Sequence, residues 1–276
     1  MPILNKAVMK EYIEYISCNN LEAAQNLLLN NVSKEQMIYK YCRGVERDLD
    51  NLKKEKIWLS NAFNFNDPYD CLVTVDCGLK EKYSKVQVKE AMEIYTRQIE
   101  ENKKTERLQN SIFVSCFSEI NNSFPLWGYY AADHKGICIG YNLQELIKKY
   151  QCMPVIYSAE LIVKQEGCSA DQFMANALTK SEEWKHECEW RIVKKDENNV
   201  GMRGIEIDFI KPKEIYIGCK KMKMEKDLMT EKNEAEQYAT IDDLADYADK
   251  NYIDIYLPLI SRKEYKLIDK ALTLNA

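Results

Sequence analysis

The sequence predicts an α+β protein, a mixed β-sheet core with flanking helices and an N-terminal helical hairpin. Three observations predict it. Short apolar runs of strand length, "SIFVSCFS" (111–118) foremost, are interspersed with longer amphipathic stretches of helical period. The two kinds follow no regular β-α-β alternation, and no glycine-rich phosphate loop joins a strand to a helix. Only nine Gly and six Pro in 276 residues argue against long disordered linkers.

Residues 3–30 read as two helices. Val8, Tyr12, Ile13 and Ile16 recur at helical spacing, "CNN" interrupts, and Leu21, Ala24, Leu27 and Leu28 start a second stripe behind an Asn20 N-cap. "MIYKYC" (37–42) is aromatic and β-forming and reads as a strand, 45–55 as a helix, and "KIWLSNA" as a second strand. "FNFNDPYD" is a loop broken at Asn-Asp-Pro, and 79–108 is a charged helix with Val86, Val88, Ala91, Ile94 and Tyr95 as its apolar stripe.

Past the buried strand 111–118, "PLWGYYAADHKG" gives a short aromatic helix near 125–132 and a turn at Gly136, followed by a strand at 137–141. "MPVIYS" is a further strand. "SADQFMANALTKSEEW" is a helix opened by a Ser169–Gln172 capping box. The strand "ECEWRIVK" follows, then "GIEIDF" and "EIYIGC", expected to pair with each other. An acidic helix (225–249), the strand "YIDIYLPLI" and an amphipathic stretch close the chain. The resulting division is 1–35 as hairpin, 36–218 as core, and 219–276 as an extension packed on the core.

A net charge of −5 gives no general attraction to nucleic acid or to an anionic membrane. The basic cluster Lys220, Lys221 and Lys223 runs at once into Glu225 and Asp227, as a solvated loop does. Ten cysteines contain no Cys-x-x-Cys pair, and several sit in apolar runs, the pattern of reduced buried thiols. The N-terminus lacks a signal core and no stretch reaches membrane-spanning length, so a cytoplasmic protein without a membrane partner is expected.

The candidate chemistry centres on "SEEWKHECEWRIVKK" (181–195). Extended as a strand, it sends Glu187, Glu189, Arg191 and Val193 to one face, with the carboxylates about 7 Å apart, and His186, Cys188, Trp190 and Ile192 to the other. Asn66 and Asp67 in the Asn-Asp-Pro loop offer polar groups to a sugar or phosphate, or simply shape an Asx turn. Trp127, Tyr129 and Tyr130 serve as core anchors or as a stacking wall. Cys116 with His134 and Asp133 supplies the residue types of a thiol hydrolase, although a cysteine inside an apolar strand lacks the setting that lowers its pKa. Asp67, Asp70, Glu187 and Glu189 could in principle hold a hard cation, but no spacing demands it, and no metal is assigned.

The order of the fragments "IYKY", "LSNAFNFNDPYD", "FVSCFS", "LWGYYAADHKGICIGY", "VIY" and "KSEEWKHECEWRI" resembles the bacterial domain-of-unknown-function family twenty-nine seventy-one, over about residues 36–218. More distantly it looks like ADP-ribosyltransferase-type folds. These carry a first strand with Arg, His or Tyr, a middle strand with serine and a late strand with Glu-x-Glu or a single Glu. The resemblance implies a split sheet that grips NAD. Tyr39, Tyr41 and Arg43 fall on the first strand, Ser118 on the middle strand, and Glu187 and Glu189 supply the late carboxylates, Glu189 being the first choice as catalyst. It further implies that Asn66, Asp67, Trp127, Tyr130, His134 and Arg191 help hold the cofactor, with Arg43 or Arg191 on a phosphate. The sequence departs from that pattern in having no Ser-Thr-Ser triplet. The implied activity is ADP-ribose transfer to a protein or nucleic-acid acceptor, or hydrolysis of NAD, in a bacterial toxin or anti-phage defence effector. A catalytically silent ligand-sensing or interaction module, with Glu187, Glu189 and Arg191 as a structural ion network, stands as the alternative.

Overall fold

The computed structural model describes residues 2–71, 74–75, 88–89, 92–93, 95–96, 99, 106, 109–160, 163–164, 173–230, 238–264 and 266–271. The chain is a mixed α+β protein with a largely antiparallel sheet. Helices α1 (Lys6–Ser17) and α2 (Leu21–Asn31) form the expected hairpin. Asn5 accepts from the amides of Ala7 and Val8, and Asn20 from that of Ala23, so side chains satisfy N–H groups that the first helical turns leave open. Val8, Tyr12, Ile16, Ala24 and Leu28 bury their stripe in the main core, and the Tyr12 hydroxyl donates to the carbonyl of Pro154 at 2.9 Å.

β1 (Met37–Cys42), α3 (Glu46–Lys53) and β2 (Lys56–Asn61) come next, then the two-residue β3 (Thr74–Val75) and the buried β4 (Ile112–Ser118). A helix at Phe124–Tyr130 leads to β5 (Ile137–Asn142), a helix at Leu143–Tyr150, β6 (Met153–Pro154), β7 (Ile156–Ser158) and β8 (Val163–Lys164). After the helix Phe173–Ala177 come β9 (Thr179–Ser181), a 3₁₀ turn at Glu182–Glu187, β10 (Glu189–Lys195), β11 (Gly204–Asp208) and β12 (Glu214–Ile217). Helices Lys221–Thr230 and Ile241–Asn251 precede β13 (Asp254–Ile260) and β14 (Leu267–Ala271).

The main sheet runs β11-β2-β4-β1-β5-β12-β13-β14, with β10 on the second edge of β4 and β6 beyond it. β12 and β13 pair parallel, so the C-terminal segment continues the sheet. Its most consequential feature is on one edge of β4. β2 pairs there through Ser60–Val114 and Asn61–Phe113, whereas β1 pairs only through Tyr39–Ser118. Residues 115–117 form no ladder on that edge among the described residues, and β1 and β2 part to leave a split in the sheet. At the far end of β1, a Cβ at Gly136 would lie 2.2 Å from the Cys42 carbonyl, so only glycine lets the turn before β5 close against that strand.

Several local expectations change. "GIEIDF" and "EIYIGC" do not pair with each other: β11 lies on β2, and β12 lies between β5 and β13. "MPVIYS" divides between two sheets, β6 on β10 and β7 on β9, because Val155 turns its amide to the carbonyl of Glu189. The acidic stretch 225–249 is two helices, the second starting at a new capping box of Thr240 and Asp243. The helix Leu143–Tyr150, capped by Asn142, was not anticipated. Most of the helix expected at 79–108, and the Ser169–Gln172 cap, lie outside the described residues, while Val88, Met92 and Tyr95 are helical and exposed.

Candidate functional site

Three strands bring one row of side chains together. Ser118, at the end of β4, stands opposite Tyr39 of β1 on one edge and opposite Glu189 of β10 on the other. Residues paired across strands share a face, so Tyr39, Ser118 and Glu189 point to the same side of the sheet. Cys116 and Arg191 form the next same-face pair along β4 and β10.

Glu187 reaches this face by a different route from the one expected. It ends the 3₁₀ turn, and Cys188 follows in the left-handed conformation at φ 46°, so β10 begins only at Glu189. Strand alternation therefore does not govern residues 186–188. His186 is exposed, with Nδ1 near the Glu183 carbonyl, and Cys188 is half-buried, so neither joins the packed side with Trp190 and Ile192. The Ser118 hydroxyl donates to the Glu187 carbonyl at 2.6 Å and accepts from the Ile120 amide at 3.1 Å, fixing the turn against β4.

The two glutamates belong to a buried cluster of five charges. Lys180 of β9 donates to Glu187 Oε2 at 2.6 Å and to Glu189 Oε2 at 3.0 Å, with Asp70 Oδ2 at 3.6 Å. Arg191 grips Asp70 with two parallel bonds of 2.7 and 2.8 Å, and Glu189 with two of 2.7 and 3.0 Å. Its remaining donor meets the Ala177 carbonyl at 2.8 Å. All five guanidinium N–H groups are engaged, and the side chain is fully buried. Arg191 therefore has no donor left for a phosphate, and that expectation is corrected.

Burial works against charge on Glu189, but Arg191 and then Lys180 outweigh it and hold the carboxyl down at about 2. Burial likewise opposes charge on Lys180, and Glu189, Asp70 and Glu187 overcome it, so its pKa is raised. Three carboxylates against two cations leave one net negative charge. Glu189 carries most of the compensation, since both its oxygens receive Arg191. Glu187 receives one bond from Lys180 and one, at 2.8 Å, from the Tyr130 hydroxyl. Glu187 is thus the carboxylate whose charge is least spent inside the protein.

A cavity of about 220 Å³ opens over this row, lined by both glutamates and Asp70, by Tyr39, Tyr41 and Tyr130, and by Phe65, Asn66, Cys116 and Lys40 from the split. It is smaller than the ~300–1,000 Å³ of a site that swallows a drug-sized ligand. The positions that a hard cation needs are held by Lys180 and Arg191.

Of the residues singled out from the sequence, Glu187, Glu189, Tyr39, Tyr41, Asn66, Ser118 and Tyr130 line the cavity. Others do not. Trp127 is fully buried, packs edge-on against Tyr41 at 5.3 Å and donates to the Asn121 carbonyl, which makes it a core anchor. His134 sits in a positive-φ loop near Phe124. Asp67 accepts from the Tyr69 amide and shapes the turn, leaving its neighbour Asp70 as the site carboxylate. Arg43 is exposed just past the end of β1. The thiol-hydrolase arrangement fails for lack of a base. Burial and then Glu189 push the Cys116 thiol well up, and His134 does not line the cavity.

The residues overlooked were Lys180, Lys40 and Tyr157, whose hydroxyl accepts from the Glu189 amide at 2.8 Å. Lys180 was hidden because "LTKSEEW" reads as the end of a charged helix rather than as a buried strand.

Fold and site together define an α+β protein with a split sheet and an open cavity lined by buried charges. Residues 126–192 match the family model described as "Protein of unknown function (DUF2971)". That is the family which the motif order resembles, and the matched stretch contains Tyr130, Lys180, Glu187, Glu189 and Arg191. No curated protein and no solved structure matches the chain.

Proposed function

We propose that this protein is an ADP-ribosyltransferase-like enzyme that binds NAD and breaks the bond between nicotinamide and ribose, passing ADP-ribose to an acceptor or to water. One observation carries the reading: the row Tyr39–Ser118–Glu189 across three adjacent strands, facing a cavity beside a split. It has the residue types and strand order that the distant resemblance implies.

The chemistry follows from the charges. The pyridinium of NAD is cationic, and its departure as neutral nicotinamide leaves positive charge on the ribose. A cluster with one uncompensated negative charge in a shielded cavity favours both. Glu187, with only Lys180 and Tyr130 on its oxygens, stabilises the oxocarbenium-like centre, as the carboxylates of glycosidases do. Glu189, fixed by Arg191 and Lys180, holds the Lys180 ammonium against Glu187 and orients the acceptor or water. Tyr39, Tyr41 and Tyr130 offer faces on which the nicotinamide ring stacks.

The test is incubation with NAD labelled in the nicotinamide and in the adenylate, with protein, nucleic acid or water as acceptor. Release of nicotinamide by the wild-type protein, lost in Glu187→Gln, supports the reading; no release with any acceptor overturns it. A silent ligand-binding module draws on a different observation, the complete pairing of Asp70, Lys180, Glu189 and Arg191 with one another. That module predicts binding of the nucleotide without turnover.

A further inference from the structure

We infer that Lys40 forms an oxyanion subsite in the floor of the split, suited to the phosphate of a nucleotide. Two cations line the cavity among the described residues, Lys40 and Lys180. Lys180 is consumed by three carboxylates. Lys40 has no carboxylate within ion-pair distance among the described residues. Its ammonium donates to the Ser115 hydroxyl at 2.8 Å, lies 3.5 Å from the Cys116 carbonyl and sits over the Phe117 ring at 5.4 Å. An ammonium has three donors, and these neutral partners leave both its charge and at least one donor unspent.

The backbone explains why this lysine is available. Lys40 points to the face of β1 opposite Tyr39, and a continuous β1–β4 ladder would shut it off from the cavity. Because β1 leaves β4 after Tyr39–Ser118, the side chain instead crosses the gap and lines the cavity from below. It also lines a smaller crevice on the opposite face, beside Asn51 and Trp58.

The cavity is thus dipolar, with an anionic wall at Glu187 and Glu189 and a cation in its floor. The cation stands at Ser115 and Cys116 of β4, the strand that pairs with β10, and the anionic wall rises from the start of β10 and the turn before it. The subsite deepens the NAD reading and, in assigning the anion to a nucleotide, rests on it. It places the phosphate contact on Lys40, since Arg191 has no free donor.

The experiment measures binding of ADP and of inorganic pyrophosphate to wild-type protein and to Lys40→Met and Lys40→Arg, with thermal melting of each variant. Wild type is expected to bind both ligands. K40M is expected to weaken them about tenfold or more, the cost of one charge-assisted contact, while K40R, which keeps the charge, stays within about threefold of wild type. Equal binding by K40M and wild type overturns the subsite, as does the absence of binding to wild type. If K40M fails to fold, K40R decides: retained binding that weakens with added salt supports the subsite, and salt-independent binding overturns it. Nicotinamide release separates the two ideas. Lys40-dependent ADP binding without release leaves the subsite and removes the enzyme reading; release by K40M with unchanged kcat/KM does the reverse.

Discussion

Lys180 and Glu187 meet at 2.6 Å with both side chains almost sealed from solvent. The same ammonium reaches Glu189 and Asp70, so it is the hub through which three buried carboxylates coexist. Lys180→Met removes that compensation and leaves the anions with Arg191 alone. Breaking a buried ion pair from one side typically costs about 3–5 kcal/mol. Urea unfolding of K180M is expected to show a loss of that order. The double variant K180M/E187Q should recover part of it, because one of the stranded charges is gone. A K180M protein as stable as wild type would contradict the cluster as described.

Arg191 is the second clamp, and its shape matters as much as its charge. Its five donors meet Asp70, Glu189 and the Ala177 carbonyl in fixed directions. Arg191→Lys keeps the charge but provides only three donors on a point centre. At least two acceptors then lose their partner in a buried setting, at about 1–3 kcal/mol each. R191K should therefore be clearly destabilised in a melting experiment, whereas Lys195→Arg, at a more exposed position on the same strand, should be near neutral. Equal melting of R191K and wild type would count against the bidentate geometry.

The sequence made much of this legible and concealed the rest for physical reasons. The aromatic, β-forming run "MIYKYC" announced β1 through residue preference, and the continuous apolar run "IFVSCFS" announced β4 because burial imposes that pattern directly. The pairing of Glu187 and Glu189 on one cavity was also readable, although for an incomplete reason. A left-handed Cys188 does what strand alternation was expected to do, and nothing in a lone cysteine signals a positive φ. Lys180 was invisible because a buried lysine is recognised only through its partners, and Asp70 lies 110 residues earlier in the sequence. Trp127 and His134 looked functional by residue type alone, and packing, which has no local signature, decided otherwise.

Glu187 and Glu189 should separate kinetically. Glu187→Gln removes the least compensated carboxylate while the amide oxygen can still accept from Lys180 and the amide NH2 can donate to the Tyr130 hydroxyl. If the protein consumes NAD, kcat is expected to fall about 10²–10³-fold, the usual effect of losing one electrostatic partner of a developing charge, with little change in melting temperature. Glu189→Gln disturbs Arg191 and Lys180 together, so activity and stability should fall in step. Unchanged turnover in both variants would remove the carboxylates from the mechanism.

The depressed pKa of Glu189 gives stability a definite dependence on pH. Burial raises it, Arg191 and Lys180 lower it further, and the net value is about 2 against 4.5 for the free side chain. The folded state therefore holds the anion more firmly than the unfolded chain does. The stabilisation is fully present above pH 4.5 and disappears as pH falls through about 2. Melting temperature measured across this window should decline on acidification. In E189Q the decline should be shallower, with a lower plateau at neutral pH. Superimposable profiles for the two proteins would show that Glu189 titrates alike in both states.

Cys116 offers a test of the cavity's electrostatics that needs no ligand. Part of its surface lines the cavity, yet the residue is half-buried and lies against Glu189, and burial followed by that carboxylate pushes its thiol well above the ordinary value. Only the thiolate attacks iodoacetamide. At neutral pH the exposed Cys18 should be carbamidomethylated well before Cys116, as read by peptide mass spectrometry of the native protein. Glu189→Gln removes the anion and leaves the Arg191 charge beside the sulfur, and both changes lower the thiol pKa. Each unit of that fall raises the thiolate fraction about tenfold, so Cys116 should become the thiol whose labelling accelerates most. Labelling of wild-type Cys116 as fast as Cys18, or no acceleration in a folded E189Q protein, would mean that Glu189 does not govern the charge state of the cavity wall.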